Sequence, residues 1–525
     1  MKPNRPIIDT SILNHSLQNI VKGTSLVLVG TILLYFFVFI AGVLIARNWT
    51  ENYVGVLSLA YSIFTICVTI STMGFAKGLV YYISRSRSKN ELNKLPDYII
   101  TSIVVSITIS IILALSLFFS SEILAKKVFN EILIIEPLKI FAIALPFFVL
   151  NIIIASIFRG FEKIRPYVYF KYILEGALFP IFYGIIIFLD LDFIYVFYSY
   201  LLVGIIVTLC LVIYALKKLP KTFRYSIKSI FSPTSKDLIF YSIPLFAAAI
   251  LHLITTWTST LMLGTFKGTA EVGFYHVASP FAVFIAFPYG ALAITFVPVF
   301  SGLYAKEKFD EIRSNYLILT KWICLLTLPI FLILFLFPEL TLTVFVGSNY
   351  LPSADALRIL SVIFIFMNFA GACGSALVAM GKSRFIMFST LVGAVLGIIL
   401  NYELIQIYGF IGAAIGISGT YFFITLANAL KLFISYKIKP FNLNLLKPAV
   451  LLIVLIMPIY FFTRQILPYN FGSLVLLFLL FCGVLILSVL LTKSIDKEDL
   501  EMLVGLERKT GIKTTWLRNF LSKFV

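Results

Sequence analysis

The chain has 525 residues, of which 60% are hydrophobic and 13% charged, and Phe alone fills 52 positions. A water-soluble core cannot hide that much apolar surface, so lipid is the solvent for most of the chain, which excludes a soluble enzyme, a disordered protein and a nucleic-acid-binding module. The net charge of +18 would suggest nucleic acid in a soluble protein; here it is read first as topology, because basic loops stay on the cytoplasmic side.

Residues 1–22 are polar and read as a cytoplasmic N-terminal segment. The apolar run that follows is too long for the core of a cleavable signal and reads as a first membrane span. About fourteen apolar segments reach the roughly 20 residues a bilayer requires. In chain order they are 24–46, 54–83, 98–119, 137–158, 167–189 and 193–216, then 237–263, 271–302, 314–338, 355–381, 385–402 and 409–436, and finally 446–463 and 472–492. The expected fold is therefore an all-α integral membrane protein. Cys67, Cys210, Cys324, Cys373 and Cys482 all fall inside apolar segments without metal-ligand spacing, and read as small buried apolar residues.

The basic residues test this count. With the N-terminus in the cytoplasm, the external loops carry only Arg47, Lys126, Lys127, Lys267, Arg358 and Arg464, and Lys77, Lys139, Lys171 and Lys321 lie within spans. The remaining 32 of the 42 Lys and Arg fall on the cytoplasmic side, which supports an even number of spans with both termini cytoplasmic, and a multi-pass protein of the cell membrane.

The sequence also repeats. Tyr53-Val54-Gly55-Val56-Leu57-Ser58-Leu59-Ala60 resembles Glu271-Val272-Gly273-Phe274-Tyr275-His276-Val277-Ala278, and Lys163-Ile164-Arg165 matches Lys382-Ser383-Arg384. The two places give nearly one offset, as duplication would. Each half holds six spans, an even number, so both enter the membrane from the same side and form a parallel repeat. The organisation expected is an N-lobe 23–217, a linker 218–235, a C-lobe 236–437, two further helices in 438–492 and a tail 493–525. The linker region, with Lys217, Lys218, Lys221, Arg224, Lys228 and Lys236 around Phe223, Ile227, Ile230 and Phe231, suits either an amphipathic helix on the inner leaflet or a solvated connection. In the tail, Trp516, Leu517, Phe520, Leu521 and Phe524 share a helical face, which suits an interfacial anchor.

No enzyme constellation is visible: there is no nucleophile motif, phosphate-cradling glycine loop or metal-ligand cluster, and no cofactor is expected. The informative residues are ionisable groups in spans, each costing several kcal/mol at mid-membrane unless it faces protein or water. Glu175 is the one acid well within a span, and Lys171 lies four residues earlier on the same helix face. Two readings stand, a self-neutralising local pair and a polar patch lining a cavity between the halves. Lys77 either snorkels to the inner interface or meets an anionic headgroup. Arg159, Lys163 and Arg165 cluster where spans four and five meet the cytoplasm, as ordinary positive-inside charge or as a phosphate-receiving group. His252 and His276 lie in spans seven and eight, as satisfied polar residues or as proton relays. Pro146, Pro180, Pro244, Pro280, Pro288 and Pro298 mark bends, and Gly412 and Gly416 allow close helix approach.

Several stretches resemble the polysaccharide (O-antigen, lipid-linked oligosaccharide) flippase family of the multidrug/oligosaccharidyl-lipid/polysaccharide exporter superfamily. They are 261–275 (Leu261-Met262-Leu263-Gly264 through Gly273-Phe274-Tyr275), Phe296-Val297-Pro298-Val299-Phe300-Ser301, 350–360 (from Tyr350-Leu351-Pro352 to Ile359-Leu360), 376–382, and Glu51-Asn52-Tyr53-Val54-Gly55. The resemblance implies two six-helix lobes around a central cavity, alternating access, and transfer of a polyprenyl or dolichyl phosphate- or diphosphate-linked sugar from the inner to the outer leaflet. Membrane lipids are the other expected partners, nucleic acid is not, and a monomer is expected. The coupling ion, H+ or Na+, stays open. Relatives often carry an acid just before the Leu-Met-Leu-Gly run, where this chain has Ser259, so a coupling role for that acid does not carry over. The rival within the superfamily is a cation-coupled multidrug exporter, which needs membrane-embedded acids; span one has none. A membrane-bound sugar polymerase or ligase would need a large external loop with paired polar residues, and the longest, near 119–137, carries no such set.

Overall fold

In lipid every backbone N–H and C=O must find its partner within the protein, which leaves helices or a closed barrel. The computed structural model describes residues 10–218, 232–370, 372–439 and 443–494, and among them it contains helices and no strand. The linker residues 219–231, read as either an amphipathic helix or a solvated connection, and the tail residues 495–525, read as an interfacial anchor, lie outside the described residues.

The chain divides into two compact units, Met1–Ile254 and Thr255–Val525. In the first, α1 (Thr10–Asn48), α2 (Glu51–Thr72), α3 (Phe75–Ser88), α4 (Leu95–Ile123) and α5 (Ile135–Gly160) are followed by the short α6 (Ile164–Tyr167). A π-helical stretch, Val168–Leu174, leads into α7 (Glu175–Phe188), then α8 (Ile194–Lys218). Helix α9 (Pro233–Phe266) spans the division. The second unit holds α10 (Thr269–Val283), α11 (Phe287–Ala305), α12 (Phe309–Leu336), α13 (Pro338–Phe345), α14 (Ala354–Phe369), α15 (Cys373–Ala379), α16 (Ser383–Tyr436), α17 (Leu443–Ile466) and α18 (Phe471–Leu491).

Among the described residues, thirteen helical segments are long and apolar enough to cross a membrane. One of them, α16, has 54 residues. At 1.5 Å per residue it would run about 80 Å, far beyond the ~30 Å hydrocarbon core. It is a hairpin of two spans broken at Gly409, whose φ of 56° and ψ of −132° are not helical. The two arms pack antiparallel: Gly393 lies against Ile424, Gly397 against Thr420 and Gly416 against Asn401. Ser389 Oγ bonds Asn428 Oδ1 at 3.1 Å in the same register. Counted as two, α16 brings the spans to fourteen, and the tight pair 385–402 and 409–436 is accounted for.

Other expected spans are interrupted. The run 54–83 breaks at Met73 and Gly74, both with positive φ. There a Cβ on Gly74 would lie 2.7 Å from Ser242 O of α9. The run 271–302 breaks at a 3-10 turn, Phe284–Ala286, and Pro288 starts the next helix, where its missing N–H costs nothing. The run 355–381 ends as α14 and restarts as α15. Helix α12 supplies the partners for the carbonyls so freed: the Tyr316 hydroxyl donates to Ala370 O, and Cys324 Sγ lies 3.3 Å from Asn368 O.

Each unit has its own apolar core. Phe75, Leu79, Ile83, Leu95, Ile153 and Leu238 cluster in the first, and Phe300, Tyr316, Ile323, Ala376 and Leu432 in the second. Large side chains left outward, such as Phe119, Phe188, Phe462 and Leu479, are those a hydrocarbon solvent covers.

The two halves share a backbone signature. Residues with positive φ occur at Asn90 and Glu307, Asn130 and Gly347, Glu162 and Gly381, and Asp190 and Gly409. These pairs recur at almost constant separation. At one of them the capping bonds are copied as well: Lys163 N–H reaches Phe158 O at 2.9 Å, and Lys382 N–H reaches Leu377 O at 2.9 Å. Both bonds close a helix through a Schellman turn.

Candidate functional site

A charged pair occupies the interior of the first unit. The π-helical stretch widens the helix at Val168–Leu174, and Gly176 then seats α7 closely on Leu34 and Phe37 of α1. This places Lys171 and Glu175 side by side, with Nζ 2.5 Å from Oε1. The ammonium also lies 5.9 Å from the centre of the Phe148 ring of α5. The side chains keep 23% and 12% of their exposure, so the pair is enclosed but not sealed. Glu175 Oε2 is buried without a hydrogen-bond partner.

The same unit also holds polar groups that sequence reasoning did not single out. Tyr61 of α2 is within electrostatic reach of Glu175. Its ring lies 5.8 Å from that of Tyr200 on α8, which hydrogen-bonds Tyr183 of α7. On α5, Asn151 accepts from Thr208 of α8 at 2.8 Å, while its Nδ2 is buried without a partner. These residues come from four helices with no common spacing, and only their shared polarity inside apolar runs could have marked them.

Lys77 projects from α3 one turn beyond the Gly74 break and is exposed. It acts electrostatically on His252 of α9, so these two candidates are brought into one neighbourhood. Gly78 beside it leaves room for Ser242 and Leu238 of the same helix. Tyr81 stacks on Tyr241 with ring centres 4.5 Å apart. His276, on α10 of the second unit, is half-buried. Ser259 is buried and hydrogen-bonds Tyr275. Lys321 of α12, placed within a span but not singled out, is buried in the second unit.

Arg159 and Arg165 sit at the turn between α5 and α6, both exposed. The Arg159 guanidinium covers the Tyr167 ring at 4.7 Å, and the Tyr167 hydroxyl is 3.2 Å from that of Tyr172. Lys163 donates to Lys218 O at 3.3 Å, and Arg87 lies 3.6 Å from Glu162. The ends of α3, α5 and α8 thus form one basic end. Glu91, just past α3, is hydrogen-bonded and ion-paired to Lys94, which together with other bases holds its carboxyl below the usual range. No group of three or more metal-ligating side chains occurs among the described residues.

Fourteen spans among the described residues, paired halves and charges enclosed within a helical unit are the architecture of a multi-pass membrane protein. The family described as "Polysaccharide biosynthesis protein" matches residues 20–304, and MatE matches residues 244–403. The chain belongs to this polysaccharide biosynthesis family of the multidrug/oligosaccharidyl-lipid/polysaccharide exporter superfamily. An uncharacterized membrane protein of Methanocaldococcus jannaschii is 23% identical over 420 residues, covering 76% of this chain and 81% of that protein. A protein of Shigella flexneri named for O-antigen transport is 24% identical over 283 residues, 53% of this chain and 65% of its own length. Among solved structures, the lipid II flippase MurJ in an inward closed conformation superposes with a TM-score of 0.67 at 17% identity, covering 91% of this chain and 99% of that one. That likeness is one of fold.

Proposed function

We propose that the chain carries a lipid-linked oligosaccharide from the cytoplasmic to the outer leaflet by alternating access, for cell-surface polysaccharide or glycoconjugate synthesis. The observation that carries this reading is the sign of the charge within the spans. Lys77, Lys171 and Lys321 lie inside membrane-crossing segments, against Glu175 as the deep acid. An interior that leans cationic suits a phosphate or diphosphate linkage. A charge moved outward across a negative-inside membrane gains about 2.3 kcal/mol per elementary charge per 100 mV. In this reading 23–217 and 236–437 are the moving lobes. Residues 1–22 and 493–525 are cytoplasmic, 218–235 bridges the lobes, and the helices of 438–492 stand outside the repeat. Arg159 and Arg165 gather the headgroup at the inner leaflet; Lys77 and Lys171 meet the phosphate; Glu175, His252 and His276 line the polar path. The protein acts in the cell membrane as a monomer.

Reconstitution into liposomes with a polyprenyl diphosphate-linked oligosaccharide tests this. Lys77→Ala and Arg165→Ala should each slow flipping several-fold at normal protein levels, and Lys77→Arg should restore most of it, since a point cation suffices. Wild-type rates in both alanine variants would remove these residues from the site. The MatE match over 244–403 favours a second reading, export of cationic compounds. Transport of a cationic dye in place of the glycolipid would establish it.

A further inference from the structure

The geometry points to the Lys171–Glu175 pair as a proton-operated latch on an anion site: a proton taken up on Glu175 releases the Lys171 ammonium to a phosphate oxygen. This rests on the proposed transfer of a lipid-linked phosphate and adds to it a condition under which the phosphate is held.

The carboxylate is used at one oxygen only. Oε1 holds Lys171 Nζ at 2.5 Å, whereas Oε2 is buried and unpartnered. A buried acceptor without a donor is costly, and a proton is the smallest group that relieves it. Once Oε2 carries a proton, the carboxyl is neutral and its hold on Nζ falls from an ion pair to an ordinary hydrogen bond. Lys171 remains an ammonium, partly exposed and 5.9 Å from the Phe148 ring centre, in surroundings where a lone charge is unfavourable. An anion then takes the place that the carboxylate held. No bond is broken other than the ion pair, and the proton comes from water.

The groups facing the pair leave this exchange to Lys171 and Glu175. Helix α2 presents Tyr61, which has Tyr200 of α8 behind it, and α5 presents Phe148, while Leu34 and Phe37 of α1 pack on the neighbouring Gly176. Tyrosines keep their protons throughout the physiological range. Either event alone, proton without anion or anion without proton, leaves net charge in the enclosure. The two therefore occur together, and by linkage each strengthens the other.

The test is calorimetric titration of the purified full chain in detergent with farnesyl diphosphate, in buffers of different ionisation heat, between pH 6 and pH 8. Wild type should take up close to one proton per bound probe, with affinity falling by up to about tenfold per pH unit as pH rises. Glu175→Gln, which keeps the shape and removes the titration, should bind at pH 8 at least as tightly as wild type binds at pH 6, with no proton uptake attributable to the site. Lys171→Arg should keep proton-linked binding. Binding by wild type without proton uptake, or unchanged uptake in Glu175→Gln, overturns the latch and leaves the phosphate reading intact. Absence of binding in both wild type and Glu175→Gln overturns the latch as an anion site. Flipping of the glycolipid, measured separately, then decides whether the broader function falls with it.

Discussion

A lysine within hydrocarbon persists only where something answers its charge, and the chain answers two of those in the first unit differently. Lys171 is matched by Glu175 one turn on, while Lys77 stands exposed near His252. Removing one member of an enclosed pair strands the other charge, whereas removing both costs far less. Lys171→Met should therefore lower stability by about 3 kcal/mol, seen as a drop in the melting temperature in detergent. The double variant Lys171→Met/Glu175→Gln should recover most of that drop. A double variant melting below the single one would mean that the pair contributes net stability and is not merely a compensated burden. The pair itself was legible, because an i,i+4 acid and base inside an apolar run can be read from spacing alone. Tyr61, Tyr183, Tyr200 and Asn151 were not: they lie on four helices with no common spacing, and only packing brings Tyr61 to Glu175 and Tyr200 to Tyr61.

At the scale of elements, glycines decide how closely the helices approach. Gly416 faces the Asn401 side chain so closely that a Cβ would come within 2.8 Å of it. Gly416→Leu should cost about 1–3 kcal/mol by overpacking the α16 hairpin. Gly184, with nothing within 4 Å of an added Cβ, should accept Ala within about 0.5 kcal/mol. Melting profiles by fluorescence-detected gel filtration distinguish the two, and equal profiles would contradict the hairpin packing. Hydropathy made the fourteen spans legible, including both arms of α16, because length and apolar content are properties of contiguous sequence. It did not show the break at Met73 and Gly74, since the apolar character of α2 and α3 continues across it. That break answers to the backbone of α9, more than 160 residues away in the chain.

For the whole molecule, duplication organises the fold. The paired positive-φ turns at Glu162 and Gly381, and at Asp190 and Gly409, place helix ends at equivalent points of the two halves. The proposed orientation follows from the basic residues and has a direct consequence for two exposed turns, Asn90 and Asn130. In a cysteine-free background, Asn130→Cys should react with an impermeant thiol reagent from outside intact cells. Asn90→Cys should react only after the membrane is opened. The reverse pattern would invert the topology. The central claim, that a cation-lined transporter of this family moves a lipid-linked sugar and not a cationic compound, is met most directly by one experiment. The purified chain in liposomes is presented in parallel with a polyprenyl diphosphate-linked oligosaccharide, read by the accessibility of its sugar to an external lectin, and with a cationic dye. The account predicts glycolipid exposure well above protein-free liposomes and no dye movement; dye transport with a static glycolipid would contradict it.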